Sequence, residues 1–379
     1  MIYIDVSHLN SFLQTGRPLS GIQRLTLNTL VGLERKLGPQ GVRAMIFSAS
    51  DKAYRCCAVA TFLHDLGRTK TQLDVCSFGR DDKILLTEYF WNRAVTTAAA
   101  NRTSFTGAKI YRFIHDVIPV AVPRLFTRSW VKQFRRFVSE AIANADVVLT
   151  NSDYSRGDLL KHFPQVCVGK PILVLKLPHE FLSSNDMLGQ EAVKATIPDG
   201  LQDQAFALMV GSLEGRKNAQ LAVRAWRKLA AEKGSAVPQL VIVGAYTSHN
   251  LFYRARLRWA IHQTPSILHL NACDDACLQW LYQNCRFSVY LSSYEGWGLP
   301  LGESLWFGKP VIASNATSLP EVGPDLVDYV DPTDERAVVA GLRRLCFEDG
   351  YCESKAWAID REKLKSWGEF VDHFIIALK

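Results

Sequence analysis

Residues 292–314 read SSYEGWGLPLGESLWFGKPVIAS, which parses as the end of a strand, a glycine loop, a helix and the next strand. Gly296 and Gly298 let the backbone approach a ligand, Pro300 suits the first turn of a helix, and Glu303 then falls about one turn in. Such a loop presents unpaired backbone N–H groups and a helix N-terminus to an anion, typically a phosphate. Glu295 before the loop and Glu303 after it frame that site. Carboxylates repel phosphate, so the pair is expected to grip hydroxyls on a sugar or ribose. The glycine pattern misses the dinucleotide fingerprint by one residue and is weak taken alone. Two glutamates eight residues apart around it are far more specific.

Working outward, short apolar runs alternate with longer helical periods along the whole chain, the pattern of parallel α/β units. The runs at 205–210, 239–243, 267–270, 287–291, 310–313 and 328–330 read as strands, with Thr333 expected to cap the helix that follows the last. The first half repeats the alternation with strands at 2–6, 42–47, 84–87, 109–114, 147–151 and 172–175. Periodicity fades through SSNDMLGQ (183–190) and TIPDGLQDQ (196–204). The expected architecture is α/β, two doubly wound Rossmann-like domains facing a central cleft. The expected boundaries are 1–185 for an N-terminal domain, 186–360 for a C-terminal domain, and 361–379 for a final helix crossing back to the first. Open parallel sheets bind ligands at the carboxyl ends of their strands.

A chain of 379 residues is long enough for two such domains, and 48% hydrophobic with 21% charged residues excludes intrinsic disorder. The nine cysteines are odd in number and irregularly spaced, which argues against a disulfide framework. Cys273 and Cys277 lack a second Cys/His pair at zinc spacing, so no metal site is expected. No signal peptide is read at the N-terminus, and no run approaches the roughly 18 apolar residues of a membrane span, so a cytoplasmic protein is expected, peripheral on a membrane at most. The net charge of +7 is uneven. Residues 1–180 hold 24 basic and 14 acidic side chains, and residues 181–379 hold 20 and 23. A basic half beside a near-neutral half suggests a surface for an acidic ligand or membrane.

Segment 292–314 resembles the E-x7-E motif of the family-4 glycosyltransferases, retaining enzymes with the GT-B fold, and the resemblance covers most of the chain. GSLEGRKNAQLAVRAW (211–226) is similar to the segment that opens the family's second domain. IHDVIPVAVP (114–123) resembles its first-domain histidine segment, and VVLTNSDYSRGDL (147–159) the strand and helix after it. DVSHLN and SGIQR (5–10, 20–24) resemble a bacterial polysaccharide-building subset. The resemblance implies that Arg216 and Lys217 bind the donor diphosphate and that His115 lies near the donor sugar. It further implies that Glu303 holds the ribose, that Glu295 contacts donor hydroxyls, and that Gly211, Gly296, Trp297, Gly298 and Leu299 complete the donor pocket. Gly21, ahead of a helix, can also face phosphate. As catalytic residues the resemblance implies His115, Glu295, Arg216 and Lys217, with Glu295 either a nucleophile or only a sugar-binding group. No cofactor follows from the resemblance, only a nucleotide-diphosphate sugar as donor. The subset points to mannose from GDP-mannose, with rhamnosyl and glucosyl transfer as close competitors. The acceptor would be a growing, polyprenyl-diphosphate-linked surface glycan.

The chain contains no D-x-D tripeptide. A metal-bridged diphosphate therefore has no obvious ligand set, and cations with helix N-termini are expected in its place. PRLFTRSWVKQFRRFV (123–138) interleaves five cations with apolar residues at helical spacing. It reads either as a face for an anionic membrane or lipid diphosphate, or as a domain helix with a solvated cationic side. The similar RARLRW (254–259) reads as solvated. Two other classes compete: a nucleotide-sugar-binding partner without transferase activity, and a nucleic-acid binder using the basic half. No recognised nucleic-acid module accompanies the basic segments.

Overall fold

The computed structural model describes residues 1–15, 19–65, 73–88, 102–183, 195–198, 201, 205–248 and 250–379. Among them the chain forms two compact units, residues 1–177 with 367–379, and residues 178–183 with those from 195 to 366. The boundary expected at 185/186, and most of the aperiodic stretches around it, lie outside the described residues.

In the first unit, β1 (Ile2–Asp5), β2 (Val42–Ser48), β3 (Ala53–Ala58), β4 (Asp74–Val75), β5 (Lys83–Leu86), β6 (Lys109–Ile114), β7 (Val147–Thr150) and β8 (Ile172–Val174) form one sheet. Their order is β4-β3-β2-β1-β5-β6-β7-β8. All pairs are parallel except β2 with β3 and β3 with β4. The sequence reading does not anticipate this antiparallel edge. AYRCCA carries no β-branched residue and a single aromatic, a weak strand signal, and a turn through Lys52 at φ 53° folds it back onto β2. The helix Trp367–Ala377 belongs to this unit. It buries Phe370 and Phe374 completely, pairs Asp372 with Lys36 at 2.8 Å, and is followed by Leu378, whose carbonyl accepts from the Tyr111 hydroxyl.

The second unit holds β9 (Phe206–Val210), β10 (Gln239–Val243), β11 (Ile267–Leu270), β12 (Phe287–Tyr290), β13 (Val311–Ser314) and β14 (Asp328–Val330). All are parallel, in the order β11-β10-β9-β12-β13-β14. Counted within the unit this is 3-2-1-4-5-6, the doubly wound dinucleotide-fold order. Strands such as FALMV and LVIV are apolar on both faces because helices cover both. Trp226 and Phe287 lie wholly buried in one of these layers. The topology reverses between β9 and β12, and the carboxyl ends of those two strands mark where a ligand is expected. One cap differs from expectation. Asp334, not Thr333, caps helix Glu335–Phe347 and accepts from Arg336 and Ala337 N–H at 2.9 and 3.0 Å. Thr333 instead donates to Asp331 in the turn before it, and a carboxylate is the stronger acceptor for a helix N-terminus. Among the described residues no helix is long and apolar enough to cross a membrane.

Candidate active site

At the β9 end, Gly211–Asn218 forms a loop closed by a one-turn 3-10 helix, Gly215–Lys217. The α-helix begins only at Ala219, after Asn218 in the left-handed region at φ 56°. Arg216 and Lys217 therefore stand on a tight turn ahead of the helix. At the β12 end, the backbone N–H of Ser293 donates to the Arg216 carbonyl at 2.7 Å and ties the two loops together.

Glu295 sits between the two cations. Its carboxylate is 2.7 Å from Arg216 Nη1 and 2.6 Å from Lys217 Nζ, and it accepts from the Tyr290 hydroxyl at 3.1 Å. Lys217 Nζ in turn donates to the Tyr290 oxygen at 2.9 Å, closing a triangle. Burial pushes Glu295 upward, but Arg216 and Lys217 outweigh it and hold its pKa near 2. Burial lowers Lys217 while Glu295 pulls it back. The two cations have different commitments. Arg216 bridges Glu295, the Tyr294 carbonyl and, through Nε at 3.3 Å, Glu214. Lys217 spends two of its three ammonium protons inside the triangle, so it has one to offer an incoming anion. Gly211 gives it room, because a Cβ there would stand 3.7 Å from Lys217 Cε, and the backbone φ of 145° suits glycine.

The loop between Glu295 and Leu299 is clamped from the turn that follows β13. Glu295 N–H donates to Thr317 Oγ1 at 3.0 Å, and the Ser318 hydroxyl lies 3.0 Å from the carbonyls of both Glu295 and Trp297. Gly298 ends it at φ 140°, where a Cβ would meet Leu319 at 2.7 Å. Gly296 and Trp297 are buried, and the Trp297 indole N–H has no acceptor among the described residues. Leu299 opens the helix Leu299–Trp306. Glu303, one turn on, is buried and accepts from the Tyr282 hydroxyl at 2.8 Å. Sequence reading missed Tyr282, Tyr290, Glu214, Thr317 and Ser318, for which no local motif gives a signal.

His115 and Gly21 belong to the first unit. His115 directly follows β6 and lies buried against Phe113, with Nε2 donating to the Thr87 carbonyl at 2.6 Å. Burial lowers its pKa to about 4, so the ring is neutral at physiological pH. A neutral imidazole suits hydrogen bonding to a donor hydroxyl better than the stabilisation of charge. Gly21 is the exposed first residue of helix Gly21–Leu37, whose capping box is Ser20 with Gln23. Past the end of β5, Glu88 is fully buried and caps the helix Ser7–Leu13, accepting from His8 and Leu9 N–H at 3.0 and 3.1 Å. Among the described residues its other oxygen has no hydrogen-bond partner and lies 4.0 Å from His8 Nδ1. Burial first, and then the Asp5 charge, push its pKa well up. A raised folded-state pKa means that stability is lost as pH rises above the ordinary carboxylate range. Glu88→Gln keeps an acceptor without the charge, so its melting temperature is expected to exceed wild type at pH 8 and to match it near pH 4. Each kcal/mol released is worth about 2–4 °C in a unit of this size.

The helix Arg128–Asn144 turns Phe134, Phe137, Val138, Ala141 and Ile142 into its own unit. It has no apolar face left for a membrane, and its cations Arg128, Lys132, Arg135 and Arg136 remain exposed. Among the described residues no three His, Cys, Asp or Glu side chains gather as a metal site.

The two Rossmann-like α/β units have the fold of the GT-B glycosyltransferases, and residues 197–357 match the family model Glycosyl transferases group 1. The second unit thus carries a group 1 glycosyltransferase domain. It is 29% identical over 273 residues to O-antigen chain mannosyltransferase B of Escherichia coli, covering 70% of this chain and 68% of that one. It is 26% identical over 273 residues to the serotype-specific mannosyltransferase WbdA of Escherichia coli, with 67% of this chain but only 31% of WbdA aligned. Among solved structures, Anabaena Alr3699/HepE in complex with UDP-glucose superposes with a TM-score of 0.65 at 14% identity, over 100% of this chain and 98% of that one.

Proposed function

We propose that the chain is a retaining, metal-independent mannosyltransferase that takes mannose from GDP-mannose and adds it to a growing, polyprenyl-diphosphate-linked bacterial surface glycan. The observation that carries the reading is the triangle of Lys217, Tyr290 and Glu295 at the topological switch of the second unit. The two mannosyltransferase relatives support mannose as the sugar. Lys217 meets the diphosphate and neutralises the charge that grows on it as the glycosidic bond breaks. Arg216 holds Glu295 and the adjoining loop in place. Glu295, ionised and flanked by two cations, is a poor base and a poor nucleophile, which suits it to accepting hydrogen bonds from donor hydroxyls. The acceptor hydroxyl then attacks from the face the diphosphate leaves, and its proton passes to the departing phosphate oxygen. Glu303, oriented by Tyr282, accepts from the ribose. The exposed cations of helix Arg128–Asn144 offer a surface for the acceptor diphosphate.

A thermal-shift titration with GDP, UDP, dTDP and ADP tests the donor. GDP is expected to stabilise most, by about 2.7 kcal/mol at a hundredfold excess over Kd. Preference for UDP or dTDP would move the donor to a glucosyl or rhamnosyl nucleotide, and a response to none would overturn the reading.

A further inference from the structure

Helix Leu251–His262 packs Leu257 and Ile261 into the core of the second unit, yet its opposite face is also apolar. Leu251 and Phe252 are 73% and 77% exposed, and Trp259 is 58% exposed. Phe252, Ala255 and Trp259 follow one another at i, i+3 and i+7, so with Leu251 they share one outward stripe. Arginines flank it on both sides: Arg258, seven residues after Leu251, and Arg256, four after Phe252, both exposed, with Arg254 exposed farther round. Arg227 from the neighbouring helix stands 5.9 Å over the Trp259 ring. No Asp or Glu occurs anywhere between Glu232 and Asp274. Folded proteins rarely leave large apolar side chains grouped in water without a partner.

We propose that this face docks on an anionic phospholipid surface, with Leu251, Phe252 and Trp259 entering the headgroup boundary and Arg254, Arg256 and Arg258 meeting lipid phosphates. Aromatic and aliphatic residues flanked by arginine are the composition of an interfacial helix, and long arginine stems reach outward while their apolar neighbours sink. The unbroken cationic character favours an acidic membrane over a protein partner, whose surface carries both signs. The inference does not rest on the identity of the donor. It also places the membrane face on a segment, RARLRW, that reads from sequence as solvated, rather than on 123–138, which reads either as such a face or as a domain helix with a solvated cationic side.

Co-sedimentation of the full chain with vesicles of phosphatidylglycerol and phosphatidylcholine, against phosphatidylcholine alone, tests it. The wild type is expected to pellet with the anionic vesicles and stay in solution with the neutral ones. Leu251→Ser with Phe252→Ser, and separately Arg254→Glu, Arg256→Glu and Arg258→Glu together, are each expected to cut partitioning at least tenfold. Both variants should keep the wild-type melting temperature and nucleotide response, because none of these side chains is buried. The proposal is overturned if the wild type ignores anionic vesicles, or if the serine variant pellets like wild type. It is equally overturned if the wild type self-associates through this face without binding lipid.

Discussion

Lys217→Met is expected to lower kcat about a thousandfold, with a much smaller change in the affinity for the nucleotide. Methionine keeps the length of lysine's apolar stem and removes the ammonium, with its charge and its hydrogen bonds. The ammonium lies 2.6 Å from Glu295 and 2.9 Å from the Tyr290 oxygen, and its third proton can face an incoming anion. A positioned donor that faces developing charge in a water-poor site is worth about 10²–10³ in kcat. Folding should survive, because Glu295 keeps Arg216 and Tyr290 as partners. Steady-state kinetics against nucleotide sugar separates the cases. A rise in KM with kcat intact would mean that Lys217 contributes only uniform binding, contrary to the mechanism.

Glu295→Ala has the largest expected effect on stability. It strands the Arg216 and Lys217 side chains, 16% and 12% exposed, without the carboxylate between them. Removing one partner of a buried ion pair costs about 3–5 kcal/mol, or a melting temperature lower by about 6–20 °C. An incoming diphosphate supplies the missing anion, so GDP should stabilise this variant more than wild type, while turnover falls. The pH dependence follows from the same group. Because the Glu295 pKa is depressed from 4.5 to about 2, its stabilisation is complete above pH 4.5 and is lost as pH falls toward 2. The shift corresponds to about 3 kcal/mol. Melting temperatures measured from pH 3 to 8 should show an acid limb in wild type that is weaker in the variant. Equal GDP shifts in the two proteins would contradict the role given to the carboxylate.

The parts of this site that were legible in the sequence are those that glycine and proline punctuate. Gly296, Gly298 and Pro300 announce the loop and helix start, and the spacing of Glu295 and Glu303 follows directly from it. Strands of the second unit were readable because parallel, doubly covered strands are short continuous apolar runs. What was not legible depends on contacts between distant segments. Tyr290 reads as one more apolar strand residue until its hydroxyl is seen between Lys217 and Glu295. Thr317 and Ser318 look like any turn, yet they clamp a loop about twenty residues earlier. Glu88 carries no motif, and only burial reveals it as a helix cap. The helix Leu251–His262 has apolar residues on both faces, which weakens the periodic signal that separates core from solvent, so its exposed apolar stripe was not legible. Asp334 displaced Thr333 as a cap because neighbouring residues competed for the same N–H groups, a choice that propensity alone cannot rank.

Incubating the protein with GDP-mannose and a lipid-diphosphate-linked mannose acceptor, in the presence of EDTA, and reading the product anomer by NMR tests the central claim most directly. The account predicts GDP release coupled to an α-linked product, unaffected by chelation and lost in Lys217→Met. An inverted β-linked product, a requirement for metal, or full turnover by Lys217→Met would contradict it.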